Sequence, residues 1–270
     1  MPNSLYSLSD LAIFLILVGT TISISIIAVL IDKHFIFQKL RYKDNTTIAS
    51  ISSLIGIIYG VLVGFIALYL INNQDHASVA VQREASASAN IYEGSKWLPE
   101  PYQTLIQKDI HDYIQRVINK EWPRMSNFLS VSPDGDYIIE KIFADLKSYQ
   151  PATSSESVNL QNLLVAANAL YDARHARIGI SSSQLSPELW EVILIGTILI
   201  IAINYAFRVN FSLHLFATCS FAIMASSMLF LLVTLDRPFQ GEFVVGPDAF
   251  QQVLNLTNTK PAEIASALKN

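Results

Sequence analysis

Cysteine is nearly missing from this chain, with one residue, Cys219, in 270. A lone thiol excludes an internal disulfide framework and a cysteine-based metal site within one chain. Charged residues are also few, at 15% against about 25% in ordinary soluble domains. The net charge of −4 leaves no electrostatic footprint for nucleic acid. The five histidines, His34, His76, His111, His175 and His214, are scattered and none belongs to an HExxH or similar ligand spacing. There is no GxSxG, no glycine-rich phosphate loop and no paired CxxC. No catalytic residue, metal or cofactor is therefore assigned, and the chain is not expected to be an enzyme. Glu121 and Asp112 remain as carboxylates on one helix, best explained by a solvated helix face.

Apolar sequence is abundant, at 51% of residues. It is gathered into four runs, at about 11–31, 48–71, 189–207 and 211–235. A helix needs about 20 mostly apolar residues to cross a hydrocarbon core of about 30 Å, and within it satisfies its own backbone groups. Leu11 to Ile31, Ile48 to Ile71 and Phe211 to Leu235 contain no Asp, Glu, Lys or Arg. The remaining run carries Glu191 in its first turn, but Ser186 is placed to cap it, Pro187 suits the first helical position, and Glu188 complements the positive helix end. Trp190 falls at the level of an aromatic belt. The stretch Met1 to Asp10 has no Lys or Arg, and the run behind it exceeds the apolar core of a signal peptide, so it is read as a mature helix.

The expected fold is all-α and integral to the membrane, with four transmembrane helices in two hairpins flanking a soluble helical insertion. The first hairpin occupies 1–71, the insertion 72–188, the second hairpin 189–235 (helices 187–207 and 211–235), and a tail 236–270. The insertion carries the charge imbalance, with 10 basic and 14 acidic residues between Asn72 and Glu188. Beyond Ile71 an Ala-rich stretch without Gly or Pro extends the second helix past the bilayer. Leu105, Ile106, Ile110, Tyr113, Ile114, Val117 and Ile118 form an apolar stripe that Pro123 is expected to end. Ile138, Ile139, Ile142, Phe143 and Leu146 form another. Thr153 with Glu156 resembles a capping box before a helix presenting Val158, Leu163, Leu164, Ala167 and Leu170. Gly246 and Pro247 introduce a short final helix around Asp248 to Leu256.

Loop charge gives an orientation. Lys33, Lys39, Arg41 and Lys43 lie between the first two helices and Arg208 between the last two, so these short loops are expected to be cytoplasmic. The termini and insertion are then expected to be extracytoplasmic, in a multi-pass membrane protein.

On the second helix Gly56, Gly60 and Gly64, extended by Ser53 and Ala67, let another helix approach closely. Packing within one subunit is the simplest use of that face, with self-association or a pore-proximal glycine face as the alternatives. Roughly one face away, Ile57, Val61, Phe65 and Tyr69 form an i, i+4 ladder. Such ladders commonly face lipid or neighbouring helices; around an axis this one would be a hydrophobic constriction. Glu191, Asn204 and His214 lie near predicted helix ends, which argues against a proton-coupled transporter. Arg174, His175 and Arg177 make a basic cluster, suited to dipole complementation and lipid headgroups or to an anion-concentrating vestibule. Asp236 and Arg237 could pair with Arg174, Arg177 or Glu84 in a membrane-surface junction. After them Pro238 stops the last membrane helix, Phe239 can anchor at the interface, and Gly241 permits a sharp turn.

GIIYGVLVGF (Gly56 to Phe65), Glu84 in REASA, the Glu121-Trp122-Pro123 triplet, Arg174 and Arg177, Pro187 with Trp190, and DRPFQG (Asp236 to Gly241) stand in an order that resembles bacterial membrane proteins carrying the bestrophin-like domain. The resemblance runs from about residue 20 to 254. That family has no established activity of its own. Its name reflects similarity to bestrophins, pentameric anion channels whose second membrane helix forms a narrow neck. The resemblance implies a homo-oligomeric ion channel or channel-like conduit in the lipid bilayer, with the anion slightly favoured. Bestrophins keep their soluble bulk in the cytoplasm, whereas loop charge here points outward. The alternative is a non-conducting scaffold or sensor whose insertion binds a partner; an enzyme acting on lipid ranks third.

Overall fold

A computed structural model describes residues 9–34, 45–127, 129–207, 210–241 and 244–267. Among these residues the regular elements are all helical. In chain order they are α1 (Asp10–His34), α2 (Asn45–Ser95), α3 (Tyr102–Arg116), a π-helical turn (Val117–Glu121), α4 (Trp122–Ser126), α5 (Asp134–Ser148), α6 (Ser154–Ser182), α7 (Pro187–Ile203), a 3₁₀ turn (Asn204–Ala206), α8 (Phe211–Leu235) and α9 (Asp248–Ala267).

The chain divides into two compact units. The first is built from α1, the start of α2, α7 and α8. α1, α2 and α8 are long and apolar enough to cross a membrane. α7 is apolar too, but its 17 residues stop short of the expected 207, at the lower edge of the about 17 to 25 that a span takes. Asn204 to Ala206 form a 3₁₀ turn instead, the tighter winding common at helix ends.

In this unit the closest pairing is α1 with α8. Phe14 meets Phe230 edge to face at 5.3 Å, the Thr21 and Ser226 hydroxyls are hydrogen-bonded, and Tyr205 O–H donates to the Ser25 carbonyl at 3.0 Å. α2 meets α7 through Tyr59, whose hydroxyl lies 2.7 Å from Thr197 Oγ1. The Tyr59 ring lies over Gly196, where a Cβ would collide with it. Ile13, Val63, Ile66, Leu70, Trp190, Ile193, Leu229 and Leu232 form the shared apolar core.

The second unit holds the rest of α2, α3 to α6, α9 and Pro238 to Gln240. Its core is built from the stripes visible in the sequence: Ile106, Ile110, Tyr113, Ile114 and Val117, then Ile139, Ile142 and Leu146, then Leu163, Ala167 and Leu170. Leu105, in α3, and Val158, at the start of α6, are the exceptions, both exposed. The cap on α6 forms as expected: Thr153 Oγ1 accepts from the Glu156 N–H at 3.2 Å, while the Glu156 carboxylate accepts from the Ala152 N–H at 2.8 Å.

Pro123 does not end its helix. The Trp122 N–H reaches back to Val117 O, five residues earlier, and this wider turn accommodates the proline ring, so helical winding continues to Ser126. α9 is likewise longer than expected, at 20 residues.

One pattern runs along the second half of α2. Val63, Leu70, Ala77, Glu84 and Ile91 recur every seven residues, and none is more than 1% exposed. A seven-residue spacing drifts only about 20° per repeat on an α-helix, so a single buried face persists from Val63 to Ile91. Glu84 occupies an apolar position of that repeat.

Candidate functional site

Glu84 is one of several charged groups that the apolar stripes carry into the second unit's core. α3's stripe steps from Ile110 through Ile114 and Val117 to Glu121, turned inward by the π turn. The stripe of α6 continues past Leu170 to Arg174 and Arg177, both fully buried. Each carboxylate meets a guanidinium. Arg177 grips Glu84 with two bonds, Nε to Oε2 at 2.6 Å and Nη2 to Oε1 at 2.9 Å. Its Nη2 also donates to Glu121 Oε2 at 2.7 Å. Arg174 Nη1 donates to both Glu121 oxygens at 2.7 Å, and its Nε to Asp136 Oδ1 at 2.7 Å.

Aromatic rings close the cluster. The Arg177 guanidinium lies 5.6 Å from the Trp122 ring centroid, and that of Arg174 lies 5.8 Å from the Tyr113 centroid. The Tyr113 hydroxyl donates to Glu84 Oε1. Burial, reinforced by the Glu84 charge, holds that phenol well above its usual pKa, so it stays a donor. Burial also pulls the Arg177 guanidinium down, but the facing Glu84 and Glu121 carboxylates help to outweigh it and the net shift is upward. Gly135, at the start of α5, leaves room for Arg174, because a Cβ there would sit 2.5 Å from its guanidinium.

This arrangement is saturated, with charge-assisted bonds satisfying buried ions on several sides. It has no opening for a substrate and no free nucleophile, and it is a clamp joining α2, α3, α5 and α6. Two expectations change. Glu121 is not on a solvated face, being 2% exposed. Arg174 and Arg177 do not reach headgroups or line a vestibule, because both are consumed inside the core. Asp112 is exposed as expected. No group of three or more metal-ligating side chains is clustered among the described residues.

The predicted junction residues separate. Glu84, Arg174 and Arg177 join the clamp, together with Glu121, Asp136 and Tyr113. In the first unit Asp236 Oδ1 accepts from the Leu185 N–H at 2.7 Å, and Arg237 Nη2 lies 3.4 Å from Gln184 Oε1. Beyond them, α8 ends at Leu235 and the Pro238 carbonyl accepts from the Val245 N–H at 2.9 Å. Phe239 is 4% exposed and packs on Trp122 at 5.7 Å, a core contact in place of an interfacial anchor. Gly241 has φ +103°, the conformation its turn requires.

On α2, Ile57, Val61, Phe65 and Tyr69 are 65%, 53%, 68% and 54% exposed. Ser53 is exposed beside them and Ala67 is half-buried. A Cβ at Gly56, Gly60 or Gly64 would meet no described residue within 4 Å beyond its own stretch of helix, so packing among the described residues does not explain that face. Lys39, Arg41, Lys43 and Arg208, on which the orientation rests, lie outside the described residues, as does the side chain of Lys33.

Tyr113, Glu121 and Asp136 were not singled out for this role from sequence. A signal existed for Glu121, since a carboxylate on the register of a strong apolar stripe is a buried carboxylate in need of a cation. Asp136 had none, because its partner comes from a distant helix.

The bestrophin-like domain family matches residues 19–250. No curated protein sequence is significantly similar to the chain. Three solved structures share its fold. Two are crystal structures of a bacterial bestrophin homologue from Klebsiella pneumoniae, each with a point substitution to threonine. They are 13% and 12% identical, both with TM-score 0.69, covering 90% of this chain and 97% and 98% of theirs. A membrane protein with a proline-to-alanine substitution aligns at TM-score 0.67 and 11% identity, over 91% of this chain and 98% of its own. With a clamp and a helical order that coincide with the matched span, the chain belongs to the bestrophin-like family.

Proposed function

We propose that this protein is a homo-oligomeric ion channel or channel-like conduit of the bacterial inner membrane, with four spans and α2 nearest the axis. The observation that carries this reading is the uncovered face of α2. Four large side chains, Ile57, Val61, Phe65 and Tyr69, are left more than half exposed, beside a glycine face on which no other described element packs. A ring of subunits gives both faces a use: the glycines admit a neighbouring helix and the ladder surrounds a narrow apolar constriction that dewetting can gate. The fold shared with bestrophin homologues supports the same reading. The resemblance to anion channels favours an anion, and the charge rule favours an extracytoplasmic insertion.

Subunit number in nanodiscs, by native mass spectrometry, and ion flux in reconstituted vesicles test it together. A closed ring of four or more subunits with flux is expected, and Phe65→Ala should raise that flux severalfold. A monomer or dimer, or a folded ring without flux to anions or cations, refutes it.

A non-conducting scaffold or sensor has one observation in its favour. Between α2 and α6 lies an open groove of about 1140 Å³ with Asn73, His76, Arg83, Ala169 and Asp172 in its walls, room enough for a partner segment.

A further inference from the structure

We infer that Arg83 and Asp172 set the sign of the ion that the conduit prefers, as an opposed pair of charges on the approach to the α2 constriction. This inference rests on the reading of α2 as the pore-side helix.

Register along α2 carries it. Residues 65 and 83 are eighteen positions apart, about five whole turns of an α-helix, so Arg83 and Phe65 share one face of α2. His76 follows Tyr69 by seven positions, and Asn90 follows Arg83 by seven. Asn72, His76, Val79, Arg83, Ser86 and Asn90 continue the ladder's face, and all six are exposed. The face therefore changes character: it is apolar as far as Tyr69 and, Val79 apart, polar from Asn72 onward. An ion leaving a dewetted constriction needs such a hydrating surface next to it.

The fixed charges on this approach are few. Glu84 is adjacent in sequence, yet it is buried in the clamp and neutralised by Arg177. Arg174 and Arg177 are spent in the same clamp. Asp75 belongs to a different groove, with Gln74 and Asp248. That leaves Arg83 on α2 and Asp172 on α6, which both line the same open groove. Neither forms an ion pair with another described residue. Repeated around an axis, each becomes a ring of like charge, and unscreened rings select by sign over about a Debye length of 8 Å.

Reversal potentials of the full-length protein in planar bilayers, under a potassium chloride gradient, test the assignment. Arg83→Gln should raise the cation-to-anion permeability ratio by about two- to fivefold, and Asp172→Asn should lower it by a similar factor. Both side chains are exposed, so folding is preserved. As a second measurement, Ser86→Cys modified by a cationic or an anionic thiol reagent should shift the ratio in opposite directions, with the wild type, which has Cys219, as background. Currents whose reversal potential ignores all of these changes overturn this inference and leave the channel reading standing. A folded wild-type ring that carries no current overturns both.

Discussion

Arg177 is the residue on which the clamp converges, since it alone contacts both Glu84 and Glu121. Arg177→Met leaves the fully buried Glu84 without a cation and Glu121 with Arg174 alone, and breaking a buried pair in this way costs about 3–5 kcal/mol. A thermal midpoint in detergent should fall by many degrees; a variant as stable as the wild type would show that the clamp is not structural. Asp109 behaves differently. Burial pushes its carboxyl above the usual range, and the hydrogen bond from Lys141, at 2.6 Å, only partly reverses this. A carboxyl with a raised folded pKa favours the folded state when protonated, so its contribution is present below about pH 4 and is lost as the pH rises through the folded value. Asp109→Asn should remove that dependence. Midpoints recorded from pH 4 to 7 should show the wild type declining relative to the variant, and parallel curves would rule the coupling out.

Helix ends divide into those a sequence can show and those it cannot. α8 begins and ends where its apolar run does, and α2 extends beyond the bilayer because nothing from Ile71 to Ser95 breaks it. The start of α6 was legible from a local device, Thr153 with Glu156. Its removal is correspondingly local: Thr153→Ala should cost about 1 kcal/mol, read from the denaturant midpoint, and no change would mean that Glu156 alone holds the turn. The passage through Pro123 was not legible. A proline usually stops a helix, and only tertiary packing of Trp122 against Phe239 and Phe250 rewards the π turn that carries the chain through. The clamp was half legible for the same reason. Arg174 and Arg177 stood out as a cluster, but each stripe displays only its own charge, and the partners are brought together by contacts dozens of residues apart.

For the whole molecule, the glycine face is the place where fold and assembly come apart. Gly60 is exposed with open space around it, so Gly60→Leu should leave a single subunit's stability unchanged or slightly raised, as a helix-interior glycine is replaced by a better helix former. In a ring the added side chain would fill the gap that a neighbouring helix occupies. Native mass spectrometry should then show subunits in place of rings, with circular dichroism unaltered. Rings that persist in this variant would place the contact elsewhere. α2 itself carries a consequence in time. Its helical winding is continuous from Asn45 to Ser95, without the proline or inserted group that usually kinks a helix sharply, so its hydrogen-bond ladder must open before it can bend. A sharp bend there would need a local opening of that ladder, an event on the microsecond-to-second scale, in contrast to the picosecond-to-nanosecond flicker of exposed side chains.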